Sequence, residues 1–448
     1  MKKIELLSPA KNLNSAICAI DYGADAVYMG AEAYGARVCA SNNIDDIIKV
    51  VEYAHKFNVK VYVTINTILN NKEIVDAQRL INNLYNAKVD AIIFQDMGLL
   101  EIDLPPIKLF ASTQCHNISC EKVKFLEQCG VSRIILAREL SLNHIEDICQ
   151  NTNCEIETFV HGALCVSYSG QCYLSAYNGD RSANRGNCAQ VCRKKYSLIN
   201  DKNDIIKKDK YLLSIKDFNA SRYLENLIKA GVTSFKIEGR LKDESYIKNV
   251  VAFYRHALDN IIYEAQKSSY GRIFYDFVPD LNKTFNRGYC CYFLNGKREN
   301  IANFDTPKSM GEKIGVVQSV GENYFTIDNN ILNNGDGICF IDENKILKGT
   351  NINKVEDNKI YPNNCESIKK GMLIYRNYNI NFETLLQERE RLRNNKDFGD
   401  DSVDENIENL FNNLDEDPDY TQTDFSYDAS ELINIYRQKG KYPNIIKE

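Results

Sequence analysis

Four cysteines in one short stretch are the residues of this chain best equipped for chemistry. They are Cys165, Cys172, Cys188 and Cys192, spaced C-x6-C-x15-C-x3-C within ETFVHGALCVSYSGQCYLSAYNGDRSANRGNCAQVCRKKY (157–196). His161 sits just ahead of the first thiol, and Gly162, Gly170, Gly179 and Gly186 free the backbone to bend around whatever the thiols hold. Four thiolates can ligate zinc or an iron–sulfur cluster, or serve as redox and nucleophilic groups. Zinc sites usually use pairs separated by about two to four residues, and only Cys188 and Cys192 are that close. The wider gaps leave room for a larger inorganic centre, which favours a 4Fe–4S cluster and keeps zinc as the alternative.

The elements that must position this stretch are legible as alternation. Candidate strands are 4–8, 26–30, 60–65, 91–95, 108–112, 133–137, 155–161, 211–215 and 234–238, with amphipathic stretches such as IDDIIKVVEYAHKFN (44–58) between most of them. Such alternation predicts a parallel β/α architecture, here a TIM-type barrel in α/β class. A barrel needs eight units, so nine candidates imply an insertion or an irregular barrel. Polar residues recur where strands end: Ser8, Glu32, Asn66, Gln95, Asp96, Thr113, Gln114, His116, Arg138 and Glu139. Barrel enzymes build their sites at that end. His161 ends the seventh candidate, so the cysteine loop should emerge on the same face, joined by Lys236, Glu238 and Arg240 from SFKIEGR.

The barrel domain is expected over 1–265, with the cysteine loop (162–196) inserted and a long helix (243–266) closing it. A linker should follow over 266–310, then a small all-β barrel or sandwich over 311–380, where short strands alternate with Asn and Gly turns. The tail, 381–448, begins helical and charge-rich, then turns acidic and Asn-rich, the composition of a partly disordered segment.

Composition restricts the functional classes. The 448 residues carry a net charge of −6, which argues against nonspecific coating of nucleic acid but not against a local grip. The cluster itself is basic, with Arg181, Arg185, Arg193, Lys194 and Lys195. No apolar run reaches the roughly 18 residues of a membrane span, and no secretory leader is evident, so a cytoplasmic protein with reduced thiols is expected. Of the 15 cysteines, those outside the cluster, including Cys18, Cys129, Cys149 and Cys339, read as small core residues.

The segment resembles the defining motif of the U32 family, the collagenase-like peptidases. Glu157, Phe159, Gly162, Ala163, Leu164, Cys165, Gly170, Cys172, Leu174 and Ser175 carry the resemblance, with NRGNCAQVCR (184–193), LLSIKD (212–217) and AGVTSFKIEGR (230–240) in support. Ala183, Val191 and Ile215 depart from the family pattern, and none is a thiol. The resemblance implies an iron–sulfur cluster held by the four cysteines, a link to prephenate, and hydroxylation of a pyrimidine in tRNA or rRNA. It equally carries the family's older label of peptidase.

On the first reading the basic residues meet RNA phosphates, Tyr168, Tyr173 and Tyr177 stack on an extruded base, and Lys236, Glu238 and Arg240 position a carboxylate cosubstrate, with Glu157 and His161 beside them. On the peptidase reading His161 activates Cys165, although the chain lacks an H-E-x-x-H helix and a G-x-S-x-G elbow. A noncatalytic RNA-binding or assembly factor with a structural metal is the third reading, disfavoured by the row of polar strand ends.

Overall fold

The computed structural model describes residues 3–387, apart from 262–265, 272, 274, 276, 298, 299 and 329. The acid-rich tail and the ASELINIYRQ stretch lie outside the described residues.

Eight strands close into a parallel barrel: Lys3–Pro9, Ala26–Gly30, Lys60–Ile65, Ala91–Phe94, Lys108–Ala111, Arg133–Ile135, Glu155–Gly162 and Ser234–Ile237. Each pairs with the next, and the eighth pairs in parallel with both the seventh and the first. Their runs are almost continuously apolar because helices or barrel interior cover both faces. Outside pack Leu13–Asp21, Ile44–His55, Asn71–Asn86, Cys120–Gln128, Leu142–Gln150, Leu224–Ala230 and the long Glu244–Ile261. The second of these buries Ile47, Val50, Val51 and Ala54, one stripe at helical spacing. Asparagine starts three of them: Asn12, Asn43 and Asn70 each accept a backbone N–H of the first turn.

The ninth candidate, 211–215, is not a strand. Tyr211 and Ser214 close a turn through a 3.0 Å backbone bond, and Tyr211 and Lys216 donate to the carbonyls of Phe304 and Ile301. Its apolar residues seat a returning loop instead of extending the sheet. The short strand Asp217–Asn219 then pairs antiparallel with the end of the seventh strand.

A register shift marks that end. Lys236 pairs with Phe159 but Ile237 pairs with His161, so the seventh strand carries one extra residue. A bulge reverses the in–out alternation beyond it, with consequences for His161 below.

A second, antiparallel barrel follows, closed by Glu312–Val320, Phe325–Ile327, Lys359–Pro362, Leu347–Glu356, Gly337–Ile341 and Leu373–Tyr378. Its own core holds Val317, Phe325, Ile338, Phe340, Ile360 and Ile374. Both barrels belong to one compact unit, residues 1–386.

Cys18 and Cys339 are buried as expected, but Cys129 is exposed and Cys149 only half-buried. Cys129 caps the helix Cys120–Gln128, a terminal position the packed face does not reach. Among the described residues no helix is long and apolar enough to cross a membrane.

Candidate functional site

At the C-terminal end of the strands the barrel opens into a narrow pocket with a cavity volume of about 30 Å³. Tyr28, Arg37, Thr64, Asn66, Ser112, Gln114, Arg138, Phe159, Lys236, Glu238 and Arg240 are among its walls. Sequence reasoning found Asn66, Thr113, Gln114, Arg138, Lys236, Glu238 and Arg240; it missed Arg37, which sits in the irregular stretch after the second strand, and Tyr28 and Thr64 inside strands.

The wall is cationic. Arg37 and Arg138 reach Glu238 at 3.9 and 3.6 Å. Burial opposes the Glu238 charge, but Arg37, Arg138, Arg240 and Lys236 overcome it and hold the carboxyl below its usual range. Arg240 donates to Thr64 Oγ1 at 3.0 Å, while its buried Nε has no partner. Lys236 lies 4.1 Å from the centre of the Tyr28 ring and donates to Glu157 at 2.8 Å. Four cations on the wall thus face Glu238, with Glu157 just beneath, and positive charge is left over.

Glu157 is not at the mouth. It is fully buried, bonded to Lys236, Ser234 and Arg133, and so supports the pocket floor. His161 does not line the pocket either. The bulge turns it outward into a box of Tyr246, Tyr254 and Tyr289, with Nδ1 3.2 Å from the Tyr254 hydroxyl. Burial, then the nearby Lys242, lower its pKa to about 3. An imidazole that stays neutral there and bonds to Tyr254 is not placed as the partner of a cysteine nucleophile.

The cysteine loop is tied over the pocket. Arg138 donates to the Ala163 carbonyl, and Arg193 donates to Leu164 O at 3.1 Å, so two guanidinium groups fix the backbone just ahead of Cys165. Gly170, at φ +71°, lies so close to the Gln114 backbone that no Cβ fits between them. Glu139 accepts from Ser169 N–H and Oγ, both at 2.9 Å, and His116 packs edge-on to Tyr168. Farther along, Asn184 accepts from Cys172 N–H at 3.2 Å, and Gln190 donates to Cys188 Sγ at 3.3 Å.

All four thiols are free of disulfides. Burial raises the Cys192 pKa and Arg193 opposes it, while Cys165, Cys188 and Cys172 each push it up further. Burial likewise opposes the Arg37 charge, but Glu238, then Cys165 and Cys188, raise its pKa overall. As placed, no three His, Cys, Asp or Glu side chains among the described residues gather closely enough to hold a metal ion. A zinc ion, with Zn–S bonds of about 2.3 Å, draws its sulfurs onto one point. A cubane spreads its thiolates over separate irons, and four free thiols are the donor number either group takes.

The other basic residues divide. Arg185 binds Glu73 at 2.6 Å and Arg193 binds Ser214 at 2.8 Å, so both brace the loop. Arg181 donates to Asn187 and to Cys188 O. Lys194 and Lys195 are exposed, and so are Tyr168, Tyr173 and Tyr177.

The sequence profile described as Peptidase family U32 matches residues 11–303. This chain belongs to peptidase family U32. The U32 chain is 50% identical over 340 residues to the 23S rRNA 5-hydroxycytidine C2501 synthase of Escherichia coli (strain K12), covering 75% of this chain and 52% of that protein. It is 39% identical over 300 residues to an uncharacterized protease of Methanocaldococcus jannaschii, covering 64% and 72%. It is 33% identical over 355 residues to tRNA hydroxylation protein P1 of Bacillus subtilis (strain 168), covering 76% and 83%. The U32 chain spans about half the length of the first of these relatives.

Proposed function

We propose that this U32 chain hydroxylates a pyrimidine base in rRNA or tRNA, using a 4Fe–4S cluster held by Cys165, Cys172, Cys188 and Cys192. The observation that carries the proposal is that four free thiols lie on one loop, which Arg138 and Arg193 tie at Ala163 and Leu164 beside a cationic pocket that Arg138 also lines. Two relatives whose names specify RNA hydroxylation or hydroxycytidine synthesis support the choice of substrate.

Hydroxylation replaces a ring C–H by C–OH, a two-electron oxidation that needs an oxygen donor. The cluster, when bound, supplies one-electron redox chemistry. The oxygen atom and the oxidising equivalents must come from a cosubstrate, and the chain's own residues bind and orient the reactants. Arg37, Arg138 and Arg240 bind and orient a small carboxylate cosubstrate, for which a dianion such as prephenate has suitable charge, and the unpartnered Arg240 Nε offers it a donor. Tyr168, Tyr173 and Tyr177 offer faces on which an extruded base can stack. Nucleoside mass spectrometry of RNA from a strain lacking this gene tests the function. One hydroxylated pyrimidine should vanish and return with the wild-type gene but not with C172S. An unchanged nucleoside profile would overturn the proposal.

A further inference from the structure

Directly after Cys192 the chain forms a hairpin, Tyr196–Ile199 paired antiparallel with Ile205–Lys210, whose two strands pair only with each other. A lone two-stranded hairpin is marginal in water unless something covers it. This one leaves Leu198, Ile199, Ile205 and Ile206 between 46% and 58% exposed. Between 194 and 210 the sequence has six lysines and three aspartates, in a chain whose net charge is −6. The acids are partly engaged locally: Asp204 accepts from Asn200 at 3.0 Å, and Asp209 accepts from Ser197 at 3.4 Å. Lys194, Lys202, Lys207 and Lys208 are exposed and form no ion pair among the described residues. Lys210 is paired with Asp305, and Lys195 lies over the Tyr211 ring.

We infer that this hairpin is an RNA-gripping arm that holds the single strand flanking the target nucleotide. The inference rests on the RNA reading given above. Lysines on a projecting ribbon meet phosphates without regard to sequence. Aliphatic side chains between them pack on the sugars and faces of unstacked bases, as ribbon and sheet surfaces do with splayed strands. A protein partner would be met by the same aliphatics, but the surplus of unpaired lysines favours a polyanion. The hairpin's root, four residues beyond Cys192, puts the arm next to the proposed reaction centre. The arm's lysines differ from Arg185 and Arg193, whose guanidinium groups are taken up by Glu73 and Ser214.

The test is binding of a labelled single-stranded RNA of about 16 nucleotides to the full chain, across a salt series, by fluorescence anisotropy. Two variants are compared: Lys202→Gln, Lys207→Gln and Lys208→Gln together, and Ile205→Ser with Ile206→Ser. Losing three phosphate contacts should make the slope of log K against log salt shallower by about 2, and weaken binding on the order of 100-fold near 0.1 M salt. The serine pair should weaken binding at every salt concentration and leave the slope alone. Cluster absorption and thermal unfolding should match wild type in both, since no substituted residue belongs to either core. Wild-type slope and affinity in the lysine variant would sink the arm alone. Absence of RNA binding by the wild-type chain would sink the RNA reading beneath it. Unaltered RNA binding in both variants, with loss of a copurifying protein from the serine pair, would reassign the surface to a protein.

Discussion

Replacing Gly170 by alanine should unseat the cysteine loop, while the same change at Gly179, in the same loop, should do nothing. Gly170 has φ +71°, and an added Cβ would stand 2.8 Å from the Gln114 carbonyl carbon and 3.1 Å from its Cα. The left-handed conformation costs an L-residue about 1–2 kcal/mol. Crowding against barrel backbone, which cannot swing aside as a flexible side chain would, adds about 1–3 kcal/mol. Together these place about 2–5 kcal/mol against the seated loop, raising the unseated population from roughly 30-fold to several thousand-fold. Gly179 has no atom within 4 Å of its Cβ position and no left-handed φ. Limited proteolysis within 165–192, read together with iron retention, measures the effect. G170A should be cut faster and lose iron, with global unfolding little changed, and G179A should behave as wild type. Equal behaviour of the two variants would refute the claim that close approach to Gln114 seats the loop.

Other outcomes follow from the same geometry. His161 is neutral in the folded chain, its pKa lowered from 6.5 to about 3. Below about pH 6.5 the unfolded chain takes up a proton the native chain refuses, so stability is full above that pH and falls towards pH 3, by up to about 1.4 kcal/mol per unit. Urea unfolding should therefore show H161F losing about 2 kcal/mol less than wild type between about pH 6.5 and 5, with iron content and hydroxylation retained; an identical pH slope would contradict the buried neutral imidazole. Arg185 is a brace to Glu73, not a phosphate contact, so R185E should loosen the loop and R185E with E73R should restore protease resistance. A double variant no better than R185E alone would show that the arginine acts elsewhere.

Much of the barrel was legible because each strand has to be apolar on both faces and each helix on one, which imposes distinct periods on the sequence. Legibility failed where a local apolar run serves another purpose. YLLSI (211–215) has strand composition but closes a turn against 301–304. His161 was misplaced for a comparable reason. Counted by alternation it faces inward with Glu157 and Phe159, and only the pairing with the eighth strand reveals the extra residue that turns it outward. Arg37 could not be found by strand-end logic, since its place at the pocket depends on how the loop after Ala26–Gly30 folds back over the mouth. The basic cluster shows a further limit: composition gave its charge, but not that Arg185 and Arg193 are held by Glu73 and Ser214 while Lys194 and Lys195 are exposed.

The most direct test of the central claim is to purify the chain without oxygen and measure iron, acid-labile sulfide and visible absorption together. The account predicts about four irons and as many sulfides per chain, with a charge-transfer band that each of C165S, C172S, C188S and C192S removes. A colourless chain carrying one zinc, or one whose iron survives all four substitutions, would contradict it.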